Sequence, residues 1–463
     1  MSSASSKKRK QILILGGGFG GVYAALELEK TLARDPDIQI TLINRENFFL
    51  FTPMLHEVAA SDLDITHIVN PVRKLLKRIE FFDGDVREID LPNKRVIVTH
   101  GIGEPHPHEL EYDHLILSLG SITNFFNLPG LEERALTMKS LGDAIHMRNR
   151  LIQHLEEADF ECCPAARGPL LTFVVAGGGF AGAETIASIN DFLREAIKFY
   201  PHLTQDMLRV VLVHPGPVIL PELGEELGYY AQRKLAERGV EIRVNTRVAG
   251  FDGKEVTLSD GVKITTNTLL WTAGTSPNPL LDSLPCEKNR GRLLASEYLE
   301  VKGWPGVWAL GDCALVPDPT TGKYHPPTAQ HALREGRLVA RNIAAEIRGG
   351  MKKPFVFSTI GQLASIGRRT GVARVLGMNF SGFVAWWLWR TIYLSKLPRF
   401  EKKVRVALDW TLDLLFSKDL VKFLTLRAPT MSSNDADNRV SNVPPRSQPE
   451  PRLYGDSASA SAR

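Results

Sequence analysis

The stretch ILILGGGFGG, residues 12–21, joins a short apolar run to a cluster of glycines and determines how the rest of the sequence is interpreted. Gly16, Gly18 and Gly21 fit the pattern G-x-G-x-x-G directly after a predicted strand. The first glycine of this pattern makes a tight turn, the second lets the backbone approach a pyrophosphate, and the third lets helix and strand pack closely. The N-terminus of the following helix supplies free N–H groups and a partial positive charge for phosphates. The stretch therefore predicts a dinucleotide-binding turn.

The sequence contains this arrangement twice, since FVVAGGGFAG at residues 173–182 repeats the apolar run and the glycine cluster. The glycine spacing recurs at Gly177, Gly179 and Gly182. A further apolar run follows each copy, at residues 38–44 and 209–214. Two strand–helix–strand units in one chain predict parallel sheets and an α/β fold with two Rossmann-like dinucleotide-binding domains. Such a chain most simply holds a flavin dinucleotide and a nicotinamide dinucleotide.

Both copies lack the acidic residue that usually ends the second strand and contacts the adenosine ribose. Asn44 and His214 stand at these two positions. Asn44 can still accept a hydrogen bond from a ribose hydroxyl, so flavin binding is compatible with it. A carboxylate at position 214 would repel the 2′-phosphate of NADPH. Its absence leaves both NADH and NADPH open as substrates, and His214 is equally suited to contact the NADH ribose.

Composition and charge restrict the class of protein. A chain of 463 residues predicts two or three domains. The net charge of +4 gives no case for a nucleic-acid partner. The polar N-terminus MSSASSKKRK lacks the apolar core of a signal peptide, and the four cysteines suit a reducing compartment. We therefore expect an intracellular protein.

The stretch GFVAWWLWRTIYLSKLPRF, residues 382–400, places three of the chain's seven tryptophans within four residues. Its uninterrupted apolar run ends at Arg390 and is too short to span a bilayer. Tryptophans followed by basic residues predict an amphipathic helix at a membrane surface, and we expect residues 380–427 to contact the membrane. The alternative is that these helices pack against each other or across a dimer. The residues that recur at helical spacing are Phe383, Trp386, Trp387, Arg390, Tyr393, Leu394 and Leu397, then Val404, Leu408, Leu412 and Leu415.

In order along the chain, these motifs resemble those of type II NADH dehydrogenases, single-chain FAD enzymes that pass electrons from NADH to quinone. The resemblance covers residues 11–426. It rests on GGGFGG, NFFLFTPMLHEVA, GSITNFFNLPG, LTFVVAGGGFAGAE, ALGDCA, TAQHALREG, LASIGR and GFVAWWLW. It implies a glutathione-reductase-like pair of FAD and NAD(P)H domains, followed by a C-terminal amphipathic helical region that binds membrane.

The resemblance also implies roles for individual residues. Asp312 in ALGDCA would accept a hydrogen bond from a ribitol hydroxyl of FAD. Gln330 in TAQHA would lie against the flavin ring, where its amide would hold a quinone carbonyl. The family usually has a second glutamine four residues later, but this chain has Arg334, which leaves the geometry of the quinone site open and would suit a more polar acceptor. Glu184 matches a glutamate near nicotinamide and flavin that positions NADH or relays a proton. The alternative for Glu184 is a first-turn glutamate stabilised by the helix dipole.

The predicted catalytic residues are Glu184 and Gln330. The predicted FAD contacts are Gly16, Gly18, Phe19, Gly20, Gly21, Asn44, Arg45, Val86, Gly120, Ser121, Gly311, Asp312, Ala329 and Gln330. The predicted NAD(P)H contacts are Gly177, Gly179, Phe180, Gly182, Glu184, His214 and Gly274. No metal site is expected, because His106, His108 and His114 lie in or beside a predicted loop without the spacing of ligands.

The same resemblance predicts how the chain is divided. The FAD domain takes residues 1–125 and 290–350, with the NAD(P)H domain between them at 126–289. Residues 351–427 are expected to form the membrane-anchoring or dimer region, and the tail at 428–463 is expected to be disordered because it is rich in Ser, Pro, Asn and Ala.

The predicted function is non-proton-pumping NAD(P)H:quinone oxidoreduction by a homodimer on the cytoplasmic face of the inner cell membrane. No cysteine precedes Cys162, so an internal dithiol acceptor near the flavin is excluded. We read Cys162 and Cys163 as structural and Cys313 as packing near the flavin. Three alternatives stay open at this point: a soluble NAD(P)H reductase with a protein acceptor, of the ferredoxin-reductase or apoptosis-inducing-factor type; a sulfide:quinone oxidoreductase; and a binding protein that retains FAD and NADH as a long-lived complex.

Overall fold

The computed structural model describes residues 8–101 and 106–423, so the predicted disordered tail at 428–463 lies outside the described residues. Within these ranges the helices are α1 (Phe19–Thr31), α2 (Leu55–Ala59), α3 (Val72–Leu75), α4 (Leu131–Arg134), α5 (Leu141–Phe160), α6 (Pro164–Leu170), α7 (Phe180–Ala196), α8 (Glu225–Glu237), α9 (Ala329–Ile347), α10 (Gly382–Lys396) and α11 (Phe400–Leu412).

The strands of the first half are β1 (Lys10–Leu15), β2 (Ile38–Asn44), β3 (Phe48–Leu50), β4 (Val69–Pro71), β5 (Glu80–Asp83), β6 (Asp85–Asp90), β7 (Arg95–His100), β8 (His106–Glu111), β9 (His114–Leu117) and β10 (Ser121–Thr123). Those of the second half are β11 (Thr172–Ala176), β12 (Arg209–Val213), β13 (Val240–Arg243), β14 (Val248–Phe251), β15 (Glu255–Leu258), β16 (Lys263–Thr265), β17 (Thr268–Trp271) and β18 (Thr275–Pro277). The remaining strands are β19 (Lys288–Asn289), β20 (Arg292–Leu294), β21 (Val307–Ala309), β22 (Ala314–Leu315), β23 (Gly361–Ser365), β24 (Gly371–Val375) and β25 (Met378–Ser381).

Two parallel sheets organise the molecule, as the two glycine motifs predict. The first has the order β21-β9-β1-β2-β5 and the second β13-β12-β11-β17. Each sheet contains a strand–helix–strand crossover between neighbouring parallel strands, β1–α1–β2 in the first and β11–α7–β12 in the second. β21 follows the whole second sheet in sequence but pairs with β9 of the first. The first sheet is therefore built from two separate parts of the chain.

The second sheet is covered on both faces, and its central strand shows why. Phe173 and Val175 of β11 belong to the main core, whereas Val174 and Ala176 belong to a smaller cluster with the antiparallel sheet β14–β16. Successive side chains of a strand point to opposite faces, so an entirely apolar strand such as TFVVA must be buried on both.

Each of the two strand–helix units is held by an equivalent pair of hydrogen bonds from a side-chain hydroxyl to backbone carbonyls. The Ser118 hydroxyl, just after β9, donates to the carbonyls of Leu15 (2.8 Å) and of the first glycine of its turn (3.1 Å). The Thr272 hydroxyl, just after β17, donates to Ala176 (2.8 Å) and to the corresponding glycine (3.2 Å). The segments that follow, β10 and β18, pair with each other and connect the two halves.

Helix α9 packs closely on α1 because both helices have glycine at the contact. A Cβ on Gly336 would lie 2.2 Å from the carbonyl oxygen of Gly20, which only glycine avoids. This close approach brings the start of α9, at Ala329, toward the first glycine turn of the chain.

The C-terminal part consists of the antiparallel sheet β23-β24-β25 with α10 and α11. The predicted outward face of this segment is confirmed for Phe383 and Trp387, which are exposed together with Val384, but is wrong for Trp386 and Leu397, which are buried. α10 is apolar on most of its sides, so helical spacing alone does not select the outward face. Among the described residues, no helix combines the length and apolar character needed to cross a bilayer.

The histidines His106, His108 and His114 are also placed differently from the prediction. His106 and His108 lie on β8, which pairs with β7, and His114 begins β9. They belong to sheets and not to a loop. Within the described ranges, no group of three or more potential ligands has the geometry of a metal site.

Candidate active site

In the turn at residues 16–21, the first and third glycines are fixed by the protein's own backbone. Gly16 has φ of +103°, and a Cβ on it would lie 2.3 Å from the carbonyl oxygen of Ser118. A Cβ on Gly21 would lie 1.9 Å from the carbonyl oxygen of Gly16. Neither position can hold another residue without rebuilding the turn.

The second turn has the same construction. Gly177 has φ of +109°, and a Cβ there would lie 2.8 Å from the Thr272 hydroxyl oxygen. A Cβ on Gly182 would lie 1.8 Å from the carbonyl oxygen of Gly177.

The middle glycine of each motif differs from the other two, because it faces open space. A Cβ on Gly18 or on Gly179 would have no atom within 4 Å. Both residues have extended backbone, with φ of −80° and −74°, and each is the N-cap of its helix, α1 or α7. Free space beside the N–H groups of a helix N-terminus is what a pyrophosphate requires. Both turns therefore fit a dinucleotide.

Asn44 and His214 have matching hydrogen bonds at the ends of β2 and β12. Asn44 Oδ1 accepts from the backbone N–H of Gly17 at 2.7 Å, and His214 Nδ1 accepts from that of Gly178 at 3.1 Å. Burial lowers the pKa of His214, so its ring is neutral near pH 7 with the proton on Nε2. Each residue thus orients the glycine turn, a role that sequence spacing did not reveal.

Asp312 is held by a chain of polar groups. Ser121 Oγ donates to Asp312 Oδ2 at 2.5 Å, and Lys139 Nζ lies 2.6 Å from Ser121 Oγ. Burial lowers the pKa of Lys139, while Asp312 opposes that shift. Gly311, with φ of +65°, donates its N–H to Glu335 Oε2 at 2.7 Å. Lys139 was missed by sequence reasoning because it belongs to no motif, and Glu335 because the resemblance assigns it no role although it lies within TAQHALREG.

Gln330 and Arg334 lie one turn apart on α9. Gln330 Nε2 donates to the carbonyl of Gly361 at 2.7 Å, and Arg334 Nη1 donates to the carbonyl of Gln330 at 2.8 Å. The Arg334 guanidinium carbon lies 4.0 Å from the ring centre of Phe357, in cation–π geometry. The residue that replaces the second glutamine is thus held against an aromatic ring.

Glu184 is buried on the second turn of α7, close to the glycine turn. Its Oε1 accepts from the indole N–H of Trp389 at 2.8 Å and from the backbone N–H of Ser365 at 3.1 Å. Burial raises the pKa of Glu184 to about 8, and the two N–H donors oppose the rise. A carboxyl with this pKa can hold a proton at neutral pH and release it nearby.

His56 and Glu57, in the motif NFFLFTPMLHEVA, lie beside Glu184. His56 Nε2 is 3.9 Å from Glu184 Oε1, while its Nδ1 is 2.9 Å from Ser188 Oγ. Burial lowers the pKa of His56 to about 3 and raises that of Glu57 to about 8. Glu57 Oε2 accepts from the indole N–H of Trp410 at 3.1 Å. These two residues were also missed, because adjacent histidine and glutamate in an apolar stretch match no catalytic spacing.

The other predicted contacts are placed as follows. The Phe19 ring packs on Phe49 (5.0 Å between ring centres), so a contact with FAD would come from its backbone. Gly120 has φ of +70° and open space beside it. Val86 is buried on β6. Arg45 is exposed, and Phe180 packs against the core. Gly274 lies beside the Phe126 ring.

Cys313 is buried and is the cysteine of the ALGDCA motif. Its Sγ lies 3.6 Å from the carbonyl oxygen of Gly120, and burial raises its thiol pKa to about 12. A thiol with such a pKa is protonated and a poor nucleophile at neutral pH. Cys162 and Cys163 are exposed.

Comparison with known proteins agrees with this geometry. The family described as pyridine nucleotide-disulphide oxidoreductase matches residues 10–336, and the NDH2 C-terminal domain matches residues 360–419. A type II NADH:quinone oxidoreductase of Mycobacterium tuberculosis is 32% identical over 433 residues, which is 90% of this chain and 90% of that protein. A demethylphylloquinone reductase of Synechocystis is 30% identical over 409 residues, covering 87% of this chain and 96% of that one.

Among solved structures, NDH2 of Plasmodium falciparum in complex with NADH superimposes with a TM-score of 0.83 at 19% identity, over 90% of this chain and all (100%) of that chain. A sulfide:quinone oxidoreductase of Aquifex aeolicus superimposes with a TM-score of 0.65 at 17% identity, over 86% of this chain and 92% of that chain. At these identities the structural matches show a common fold.

Proposed function

The chain belongs to the pyridine nucleotide-disulphide oxidoreductases and, within them, to the type II NADH:quinone oxidoreductases, and we propose that it transfers electrons from NADH through FAD to a membrane quinone. The observation that carries the proposal is the pair of matched glycine turns, each open at its second glycine. Two dinucleotides in one chain, with no cysteine before Cys162 to form a redox pair in the segment of the first glycine turn, favour an acceptor outside the protein.

The first turn, Asp312 and the start of α9 would hold FAD, and the second turn would hold NADH. When bound, FAD accepts a hydride from NADH and gives up two electrons to the acceptor. The residues of this chain position the two dinucleotides. Glu184 lies on the helix that follows the NADH turn and would exchange the proton that accompanies quinone reduction. Gln330 and Arg334 would contact the acceptor from α9.

The proposal is tested by mixing the purified flavoprotein with NADH without oxygen and then adding a short-chain quinone. We expect the flavin absorbance to bleach and then return when quinone is added. Bleaching without recovery would point to a different acceptor, such as a protein. Absence of bleaching by NADH and by NADPH, in a protein whose flavin dithionite still bleaches, would contradict the assignment of the second turn.

His214→Glu is expected to select strongly against NADPH. A carboxylate near the 2′-phosphate adds repulsion between two negative charges, whereas the neutral His214 ring carries no charge to repel it. We expect KM for NADPH to rise about tenfold or more relative to KM for NADH, which corresponds to ~1.4 kcal/mol. His214→Asn is the matched control, because asparagine accepts the glycine N–H in the first turn without charge. Equal effects of Glu and Asn on the two nucleotides would contradict the placement of His214 at the ribose.

We also propose that α10 and α11 seat the protein on the cytoplasmic face of the inner membrane. Phe383 and Trp387 on α10 are 59% and 54% exposed, and Leu408 and Leu412 on α11 are 56% and 51% exposed. Exposed apolar side chains of this size with nearby basic residues suit the boundary between headgroups and acyl chains. Because quinone is lipid-soluble, an enzyme at this boundary reaches its substrate directly.

The membrane contact is tested by flotation with vesicles that contain anionic lipid. Joint replacement of Trp387 and Leu408 by serine is expected to lower vesicle-bound protein about tenfold or more, since each buried side chain contributes about 1.5–3 kcal/mol. Turnover with a water-soluble short-chain quinone should stay unchanged. If the variant still floats but sediments as a smaller species than the unmodified protein, these side chains form a dimer interface instead.

A further inference from the structure

The two C-terminal helices, α10 and α11, each place a tryptophan against a buried carboxyl group of another helix. Trp389 of α10 is 0% exposed and donates its indole N–H to Glu184 of α7, at 2.8 Å. Trp410 of α11 is buried as well and donates to Glu57 of α2, at 3.1 Å. Neither contact follows from the membrane role of these helices, because both tryptophans point away from the exposed apolar side chains.

The indoles are fixed by packing from several directions. The Trp389 ring lies 5.5 Å from the His56 ring and 4.8 Å from the Tyr393 ring. The Arg390 guanidinium lies 4.2 Å from the ring of Trp386 and 4.7 Å from that of Trp410, and so connects α10 with α11. The helix pair therefore cannot shift without moving the donor that contacts Glu184.

We propose that Trp389 is a positioning residue for Glu184, and that docking of the C-terminal helix pair thereby controls how readily this carboxyl releases its proton. Only the role of this proton in quinone reduction rests on the proposed function. The hydrogen bond between Trp389 and Glu184 does not depend on turnover.

The physical basis is the small number of groups that act on this carboxyl. An N–H donor stabilises the ionised form of a carboxyl and lowers its pKa, whereas burial and a nearby carboxyl raise it. Ser365 supplies one N–H donor from β23, and Trp389 supplies the other. The titratable groups around it are His56 and Glu57 from α2 and Tyr393 from α10.

In the described part of the chain, the titratable groups that shift the pKa of Glu184 include no cation that would stabilise its ionised form. His56 is neutral at physiological pH, because burial lowers its pKa to about 3. Arg390, a cation on α10, lowers the pKa of Glu57. The indole N–H is therefore one of only two hydrogen bonds that favour ionised Glu184 among the described residues, and the only one that comes from the C-terminal helices.

The test is a pH titration of the FAD-loaded protein by infrared spectroscopy, following the protonated carboxyl band that Glu184→Gln removes. Trp389→Phe keeps an aromatic ring but lacks the donor, and we expect the apparent pKa of Glu184 to rise by about one unit, an about tenfold change in proton affinity. Trp387→Phe, on the exposed side of the same helix, should leave it unchanged. A Trp389 analogue with sulfur in place of the indole N–H keeps the ring's shape and should reproduce the shift even if Trp389→Phe folds poorly.

The same variants are then followed in quinone-driven reoxidation of the reduced flavin. The upper limb of the pH profile should move with the infrared pKa, and Glu184→Gln should abolish the displacement caused by Trp389→Phe. If the sulfur analogue and Trp387→Phe leave the carboxyl band at the same pH, the proposal is overturned. If the band shifts but quinone does not reoxidise the flavin in any variant, the positioning role stands and the proposed function fails.

Discussion

Gly18→Val is expected to yield a folded protein that has lost FAD. The valine side chain would occupy the open space beside Gly18, where the pyrophosphate is expected to bind. The backbone N–H groups at this helix N-terminus would then no longer reach the pyrophosphate. Losing two hydrogen bonds to a charged group, at about 1.5–3 kcal/mol each, lowers affinity by roughly 10²- to 10⁴-fold. The flavin content of the purified protein, read from its visible absorbance, measures the effect.

The folded chain itself tolerates this substitution, which separates ligand binding from stability. Gly18 has φ of −80°, a conformation open to valine, and no atom lies within 4 Å of the added Cβ. Gly21→Val is the contrasting control, because its Cβ would lie 1.9 Å from the carbonyl oxygen of Gly16 and the turn itself would break. A Gly18→Val protein that melts like the unmodified apoprotein yet retains its flavin would contradict the site.

Gly179→Val applies the same design to the second turn. It should retain FAD and lose reduction by NADH, while dithionite still bleaches the flavin. The two valine variants thus assign one dinucleotide to each turn. An exchange of these phenotypes would reverse the assignment.

The two turns could be predicted from sequence because their constraints are local. A glycine with positive φ, a glycine without room for a Cβ and a helix N-terminus all fall within six residues at 16–21. The repeat at 177–182 supports the interpretation independently. The family and the α/β fold with a C-terminal region followed from the same motifs and are confirmed by the family matches.

The details around Glu184 could not be predicted, because they join distant parts of the chain. Trp389 and Glu184 are 205 residues apart, and no spacing rule connects them. The tryptophans and basic residues at 382–400 predict a membrane-facing helix, but a helix that is apolar nearly all round does not reveal which of its tryptophans face inward. Its structure divides the tryptophans, with Trp387 outward and Trp389 against the acid. Lys139 was missed for a similar reason, since its partner Ser121 is identified only by the fold.

Glu184→Gln is expected to lower the rate of quinone-dependent flavin reoxidation by about 10²- to 10⁴-fold, the usual contribution of a positioned acid or base. The reduction of the flavin by NADH should change far less, because hydride transfer needs positioning and no proton from this carboxyl. The amide oxygen of glutamine still accepts from Trp389 and Ser365, so the packing around position 184 is kept. Stopped-flow absorbance measures the two half-reactions separately.

The pH dependence makes the assignment to this residue specific. With protonated Glu184 as the proposed donor and burial raising its pKa to about 8, reoxidation should be constant below that pH and fall about tenfold per unit above it. Glu184→Gln should remove this step. Glu57→Gln is the matched control: it is equally buried, its pKa is also raised to about 8, and it also accepts an indole N–H, but from α11. If Glu57→Gln removes the step and Glu184→Gln leaves it, the proton donor is Glu57, and the carboxyl beside the NADH turn serves only to anchor α10.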